Sequence, residues 1–164
     1  MKYVALALAF ILFTSETFAA DEGKPAPDLK AKVFSGDDFS LKASIGQVVL
    51  VHFWATWCVP CQKEMPALES YYKQHHGEGL RVLAISMDAA KDEAKVREEM
   101  KRYSFPGVMS KDASTKEYGR IWRLPMTFVI DRRGILRKDG WDGERGIDLA
   151  SLEKTIGPLL KEPR

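Results

Sequence analysis

Apolar positions along the chain fall into recognisable runs. "QVVLVHFWA" (47–55) and "LRVLAISMD" (80–88) are almost continuous stretches of β-branched, aromatic and other apolar side chains. Each predicts a strand covered on both faces, as inside a parallel sheet. Between them, Cys58 opens a segment expected to be helical to about Gln74, ended by Gly77 and Gly79, with Pro66 kinking its interior. "DAAKDEAKVREEMKRYS" (88–104) places Val96, Met100 and Tyr103 on one helical face. Its Glu93–Arg97 and Glu98–Arg102 pairs are spaced i,i+4 on the wet side. "SFPGVMS" (104–110) reads as a short strand and "ASTKEYGRIW" (113–122) as a short helix or turn. "MTFVID" (126–131) is a strand after Pro125, and "ILRKDGW" (135–141) alternates as its antiparallel partner should. "DLASLEKTIGPLLKE" (148–162) predicts a closing helix carrying Leu149, Leu152, Ile156 and Leu159.

Ahead of these runs, Pro25 and Pro27 enforce extended backbone in "GKPAPDLKA" (23–31). "KVFSGDDFSLKA" (32–43) then alternates on either side of Gly36-Asp37-Asp38, a hairpin signal. The predicted order is a β-hairpin, then β-α-β-α-β, then β-β-α. Helical crossovers imply a parallel half-sheet and the late hairpin an antiparallel half. The fold class is α/β, a mixed central sheet flanked by helices, with an added N-terminal hairpin.

The first twenty residues break the pattern. Lys2 is followed by an apolar run, "YVALALAFILF" (3–13), then by "TSET", "FAA" and the charged "DEGK". The run is too short to span a bilayer, which takes about 20 apolar residues. The layout is that of a signal peptide cleaved near Ala19 or Ala20. Residues 1–20 are therefore expected to direct export and 21–164 to form one domain, outside the cytoplasm or in the periplasm. The alternative is an uncleaved N-terminal anchor. Charge adds little: the net of +2 argues for neither nucleic acid nor an anionic membrane surface.

Export changes how cysteine is read. The chain has two, Cys58 and Cys61, in a compartment where disulfides persist. A bridge across so short a loop removes little entropy from the unfolded chain, so a structural staple is the weak reading. Four-ligand zinc needs more Cys or His than His52, His75 and His76 readily supply, and the two at the helix end suit its dipole instead. A redox pair remains. At the N-terminus of a helix, Cys58 meets unpaired N–H groups that favour thiolate, which should lower its pKa. Cys61, one turn in, shares that face. Cys58 is the expected nucleophile and Cys61 the resolving thiol. Pro60 suits the first turn, where a missing N–H matters little.

"VVLVHFWATWCVPCQKEMP" (48–66) resembles the active-site segment of the thioredoxin superfamily. It is similar in particular to the TlpA/ResA/CcmG (DsbE) branch of exported thiol–disulfide oxidoreductases. "GKPAPDLKA" and "RLPMTFVIDRRGIL" (123–136) resemble that branch's N-terminal and cis-proline segments, so the likeness covers nearly all the mature chain. It implies a thioredoxin-like fold and a cis Pro125 facing the disulfide. Leu124 would then offer backbone hydrogen bonds to an extended substrate, beside Trp57 and Pro60. Met126 stands where the branch usually has Thr, which alters the substrate groove or simply packs. Glu64 matches the branch's active-site acid. It shares the helix face of Cys61, and partial burial would raise its pKa and let it exchange protons with that thiol. His52, six residues before Cys58, replaces the Asp or Asn usual there. It is either a proton relay or an inert buried imidazole. Trp54 and Trp57 are read as packing plus a contact surface, Trp122 and Trp141 as core or rim.

Val59-Pro60 puts no charge or donor between the cysteines, and strong oxidants stabilise their thiolate form. A reductant follows, as the resemblance also implies. Protein disulfides, with apocytochrome c foremost, are the expected substrates. A DsbD- or CcdA-like membrane protein would be the electron donor. No cofactor, metal or nucleic acid is expected, and the chain should be a monomer. Two rivals stand beside this reading. A peroxiredoxin-type peroxidase would want a proline four residues before Thr56, where His52 stands. A Cu(I) carrier would want a partner His downstream, and none follows Pro125.

Overall fold

A computed structural model describes residues 20–140 and 146–163. The expected signal segment, apart from Ala20, and Trp141 lie outside the described residues. In chain order the elements are β1 (Lys30–Lys32), β2 (Asp38–Ser40), β3 (Val48–Trp54), α1 (Val59–His75) and β4 (Leu80–Ser86). Then come α2 (Glu93–Met100), β5 (Gly107–Met109), β6 (Met126–Ile130), β7 (Leu136–Lys138) and α3 (Leu149–Leu160). Short 3₁₀ turns join several of them, one at Lys116–Tyr118.

β1 and β2 form a separate antiparallel hairpin, and the other five strands form one sheet in the order β5-β4-β3-β6-β7. β3 runs parallel to β4, which runs parallel to β5. β6 is antiparallel to β3, and β7 to β6. The predicted element order and the mixed sheet are both present. The sequence of β3, apolar but for His52, reflects its central place: all seven residues are buried, because both faces are covered.

Alternation along β3 divides the interior in two. Val48, Leu50 and Trp54 join Met65, Leu68 and Tyr71 of α1 and Leu152 and Ile156 of α3. Val49, Val51 and Phe53 join Phe128, Tyr118 and the hairpin's Ala31 and Phe39. On this second face Phe128 meets Tyr118 and Phe53 edge-on, with ring centroids 5.0 and 5.8 Å apart. Truncating such a buried ring costs about 3–5 kcal/mol. Met126 packs into the same core, 2% exposed, so the departure beside Pro125 fills space on the face away from the cysteines.

Two side-chain expectations fail at helix ends. Leu149 is 48% exposed: as the first residue of α3 it lies at the end of the apolar stripe, and the buried residues are Leu152, Ile156, Leu159 and Leu160. Arg102 bonds Glu99, and Glu98 bonds Lys101. α2 stops at Met100, so the i,i+4 geometry needed to join Glu98 to Arg102 is gone. The Glu93–Arg97 pair is present at 2.8 Å.

Candidate active site

The strand-to-helix junction builds the site. Cys58 is the N-cap of α1, and its Sγ accepts the backbone N–H of Cys61 at 3.3 Å. A sulfur thus fills the place that a Ser or Asp oxygen usually takes. Pro60 falls in the first turn, where its missing N–H breaks no bond. Cys58 and Cys61 are joined by a disulfide. Cys58 is 5% exposed and Cys61 not at all, so Cys58 is the more accessible of the two. Trp57 and Val59 flank it, 64% and 61% exposed. Unpaired N–H groups and the positive end of the helix dipole point at this position and would stabilise a thiolate there.

Sheet register brings the second segment alongside. Met126 pairs with Phe53, which sets Pro125 level with Trp54 at the carboxyl end of β3. The Leu124–Pro125 peptide bond is cis. Leu124 packs against both cores, the one containing Cys58 and Cys61 included. Trp122, two residues earlier, is 71% exposed and belongs to the rim. Trp57 and Pro60 thus adjoin Cys58 on the helix side, and Leu124 packs against the cluster that contains both cysteines.

Glu64 lies one turn beyond Cys61 and lines a small cavity with Pro125, Thr127 and Gly140. Only 6% of it is exposed, and its Oε2 has no hydrogen-bond partner among the described residues. Burial pushes its carboxyl up to about 7, against the opposing pull of the Ile147 N–H. At neutral pH it is poised between acid and base.

His52 is completely buried on the same face of β3 as Leu50 and Trp54. Its Nδ1 lies 3.0 Å from the Thr127 Oγ1, its cross-strand neighbour, and Nε2 has no partner among the described residues. Burial pushes its pKa down to about 4, so the ring is neutral at ordinary pH. Thr127 also lines the Glu64 cavity, so it neighbours both titratable groups. His75 and His76 close α1 well away from this cluster, with His75 3.3 Å from Glu78. Among the described residues no three His, Cys, Asp or Glu side chains converge as metal ligands.

Sequence reading missed what holds the loop before Cys58. Asp88, just past β4, is 6% exposed and accepts from the Thr56 N–H at 2.8 Å and the Thr56 hydroxyl at 2.6 Å. Ser86 Oγ donates to the same carboxylate at 2.8 Å, and Gln62 Nε2 donates to the Thr56 carbonyl. The available signal was two polar residues, Ser86 and Asp88, ending an otherwise apolar strand.

Residues 23–139 match the family model described as AhpC/TSA family. The chain is 34% identical over 128 residues to thioredoxin-like protein YneN of Bacillus subtilis, covering 76% of this chain and 74% of that one. It is 33% identical over 163 residues to the thiol-disulfide oxidoreductase ResA of Bacillus cereus, covering 95% and 83%. Among solved structures, a candidate thiol:disulfide interchange protein DsbE from Chlorobium tepidum superposes with a TM-score of 0.72 at 27% identity, over 87% of this chain and 99% of that one.

Proposed function

The chain belongs to the AhpC/TSA family and, within it, to the thiol–disulfide oxidoreductases, and on that premise we propose that it reduces protein disulfides outside the cytoplasm through Cys58 and Cys61. One observation carries the reading: the chain's two cysteines form a disulfide at the N-terminus of α1, with the Cys58 sulfur accepting a backbone N–H and Cys58 the less buried of the two.

In the reduced enzyme, Cys58 thiolate attacks a substrate disulfide and displaces one substrate thiolate, leaving a mixed disulfide. Cys61, deprotonated by Glu64, attacks the Cys58 sulfur and releases the second substrate thiolate. Glu64 then holds the proton that Cys61 lost, as a carboxyl poised near 7 can. Trp57, Pro60 and the Leu124–Pro125 segment bind the substrate chain. The apolar Val59-Pro60 pair adds no charge that would stabilise the reduced form, which favours a reductant.

Residues 1–20 act as an export signal and 21–164 as the working domain, a monomer. No described helix is long and apolar enough to cross a membrane. The chemistry suits exported proteins with accessible disulfides, apocytochrome c among them, and a DsbD- or CcdA-like membrane donor to restore the dithiol. Trapping tests the reading. Cys61→Ala should accumulate mixed disulfides through Cys58, with partners identified by mass spectrometry. Failure to trap any protein, with Cys58 free to react with a small thiol reagent, would contradict it.

A further inference from the structure

We propose that Asp88 is a positioning residue for the redox pair, its buried carboxylate clamping Thr56 so that the loop presents Cys58 in register with Cys61 and biases the couple toward the disulfide. The proposal rests on the reading of Cys58 and Cys61 as the working couple.

The carboxylate is out of place unless it has such a task. It is almost fully buried, and among the described residues no Lys, Arg or His pairs with it. Burying an unpaired charge is costly unless hydrogen bonds satisfy it. Here they do: Thr56 N–H and Ser86 Oγ donate to Oδ2, and Thr56 Oγ1 donates to Oδ1. Ser86 Oγ in turn accepts the Asp88 N–H at 3.1 Å. Alanine removes both oxygens and leaves the Thr56 N–H and hydroxyl without this acceptor, so it breaks the clamp; an amide could keep it, because the Thr56 hydroxyl can also accept.

What the clamp holds is the five-residue bend from Trp54 to Cys58. Met87 N–H donates to the Trp54 carbonyl at 2.8 Å, and Cys58 N–H to the Ala55 carbonyl at 3.1 Å. Thr56 is fixed at both its N–H and its carbonyl, by Asp88 and by Gln62 of α1. Asp88 thereby ties the end of β4 to the loop, and Gln62 ties the loop to the helix that carries Cys61. In the dithiol state the same bonds keep the two sulfurs near bonding geometry. Closing the disulfide then loses less conformational entropy, as for any pre-oriented intramolecular reaction. A favoured disulfide is a more reducing couple.

The test is the equilibrium constant of the pair with glutathione, measured beside the unfolding midpoint. Asp88→Ala should shift the constant at least threefold toward the dithiol, about 14 mV for a two-electron couple. Thr56→Val, which keeps the charge and the N–H bond but loses the hydroxyl, should shift it the same way by less. Thr56→Ser restores the hydroxyl and should return the wild-type value. A purely structural role would lower the unfolding midpoint and leave the constant alone. An Asp88→Ala constant equal to wild type overturns the proposal. If that variant does not fold, a Thr56→Val constant equal to wild type overturns it instead. A wild-type couple found to be oxidising would remove the reductase reading and leave this comparison among variants standing.

Discussion

Beyond one end of β6, Asp131 is buried and fully bonded; beside the other, Glu64 is buried and half bonded. Asp131 is 1% exposed. Its Oδ1 accepts the Arg133 and Ile135 N–H groups, each at 2.9 Å, and its Oδ2 accepts Arg137 Nε at 2.7 Å. Burial alone would push this carboxyl up, but those N–H groups and the Arg137 guanidinium outweigh it and hold the group below its ordinary value. Arg132 next door donates to the carbonyls of Gly46, Glu78 and Leu160, locking that end of the sheet. Glu64 is held by the Ile147 N–H, and its Oε2 is unpartnered among the described residues. His52 Nε2 and Trp54 Nε1, on the same face of β3, are unpartnered too. An unsatisfied buried polar atom costs about 1–3 kcal/mol. The molecule spends polar burial on rigidity at one end. At the other it keeps groups that can change protonation beside a disulfide that opens.

Breaking the rigid end should show most in stability. Asp131→Ala strands two N–H groups and a guanidinium, and should lower unfolding free energy by about 3 kcal/mol. Thiol exchange per folded molecule should stay unchanged, read by denaturant titration and a protein-disulfide reduction assay. The sign with pH follows from the lowered pKa: the Asp131 contribution is present above 3.8 and is lost as pH falls through its lower folded value.

Glu64→Gln should do the reverse. Disulfide reduction at pH 7 should fall about a hundredfold, the low end of the range for loss of a proton-exchanging group. Stability at pH 8 should rise by about 1–2 kcal/mol, the full effect of the shift being reduced by nearby solvent. Because the folded pKa is raised from 4.5 to about 7, the wild-type Glu64 contribution is intact below 4.5 and is lost as pH rises through 7. A variant no more stable than wild type at pH 8 would mean that the buried carboxyl carries no strain.

His52 gives the smallest effect and sharpens the contrast. Its pKa is lowered from 6.5 to about 4, so its contribution is present above 6.5 and is lost as pH falls through 4. That slope opposes the Glu64 slope over much the same range. His52→Leu should raise stability at pH 5 by about 1 kcal/mol relative to its effect at pH 8. A pH-independent difference would show that the imidazole does not titrate on unfolding as a buried neutral ring must.

The order of strands and helices was legible because β3 and β4 are almost continuously apolar and the helices have caps and stops. The redox pair was legible because two cysteines at one strand-to-helix junction leave few other uses. Glu64 was visible through its match to the branch's active-site acid and its i,i+3 spacing from Cys61, though only tertiary packing reveals an oxygen left without a partner. Asp88 and Asp131 were not legible as sites. Their partners are Thr56, 32 residues away, and backbone N–H groups that carry no residue signature. Leu149 fits the apolar stripe by spacing, but spacing cannot say where the core ends.

The central claim is that Cys58 and Cys61 form a reducing couple. Its most direct test is the reduction potential of the purified protein, equilibrated against glutathione and dithiothreitol at pH 7. The account predicts a value below about −220 mV, toward the roughly −270 mV of thioredoxin. A value of about −180 mV or higher, toward the roughly −120 mV of a strong oxidant, would contradict it.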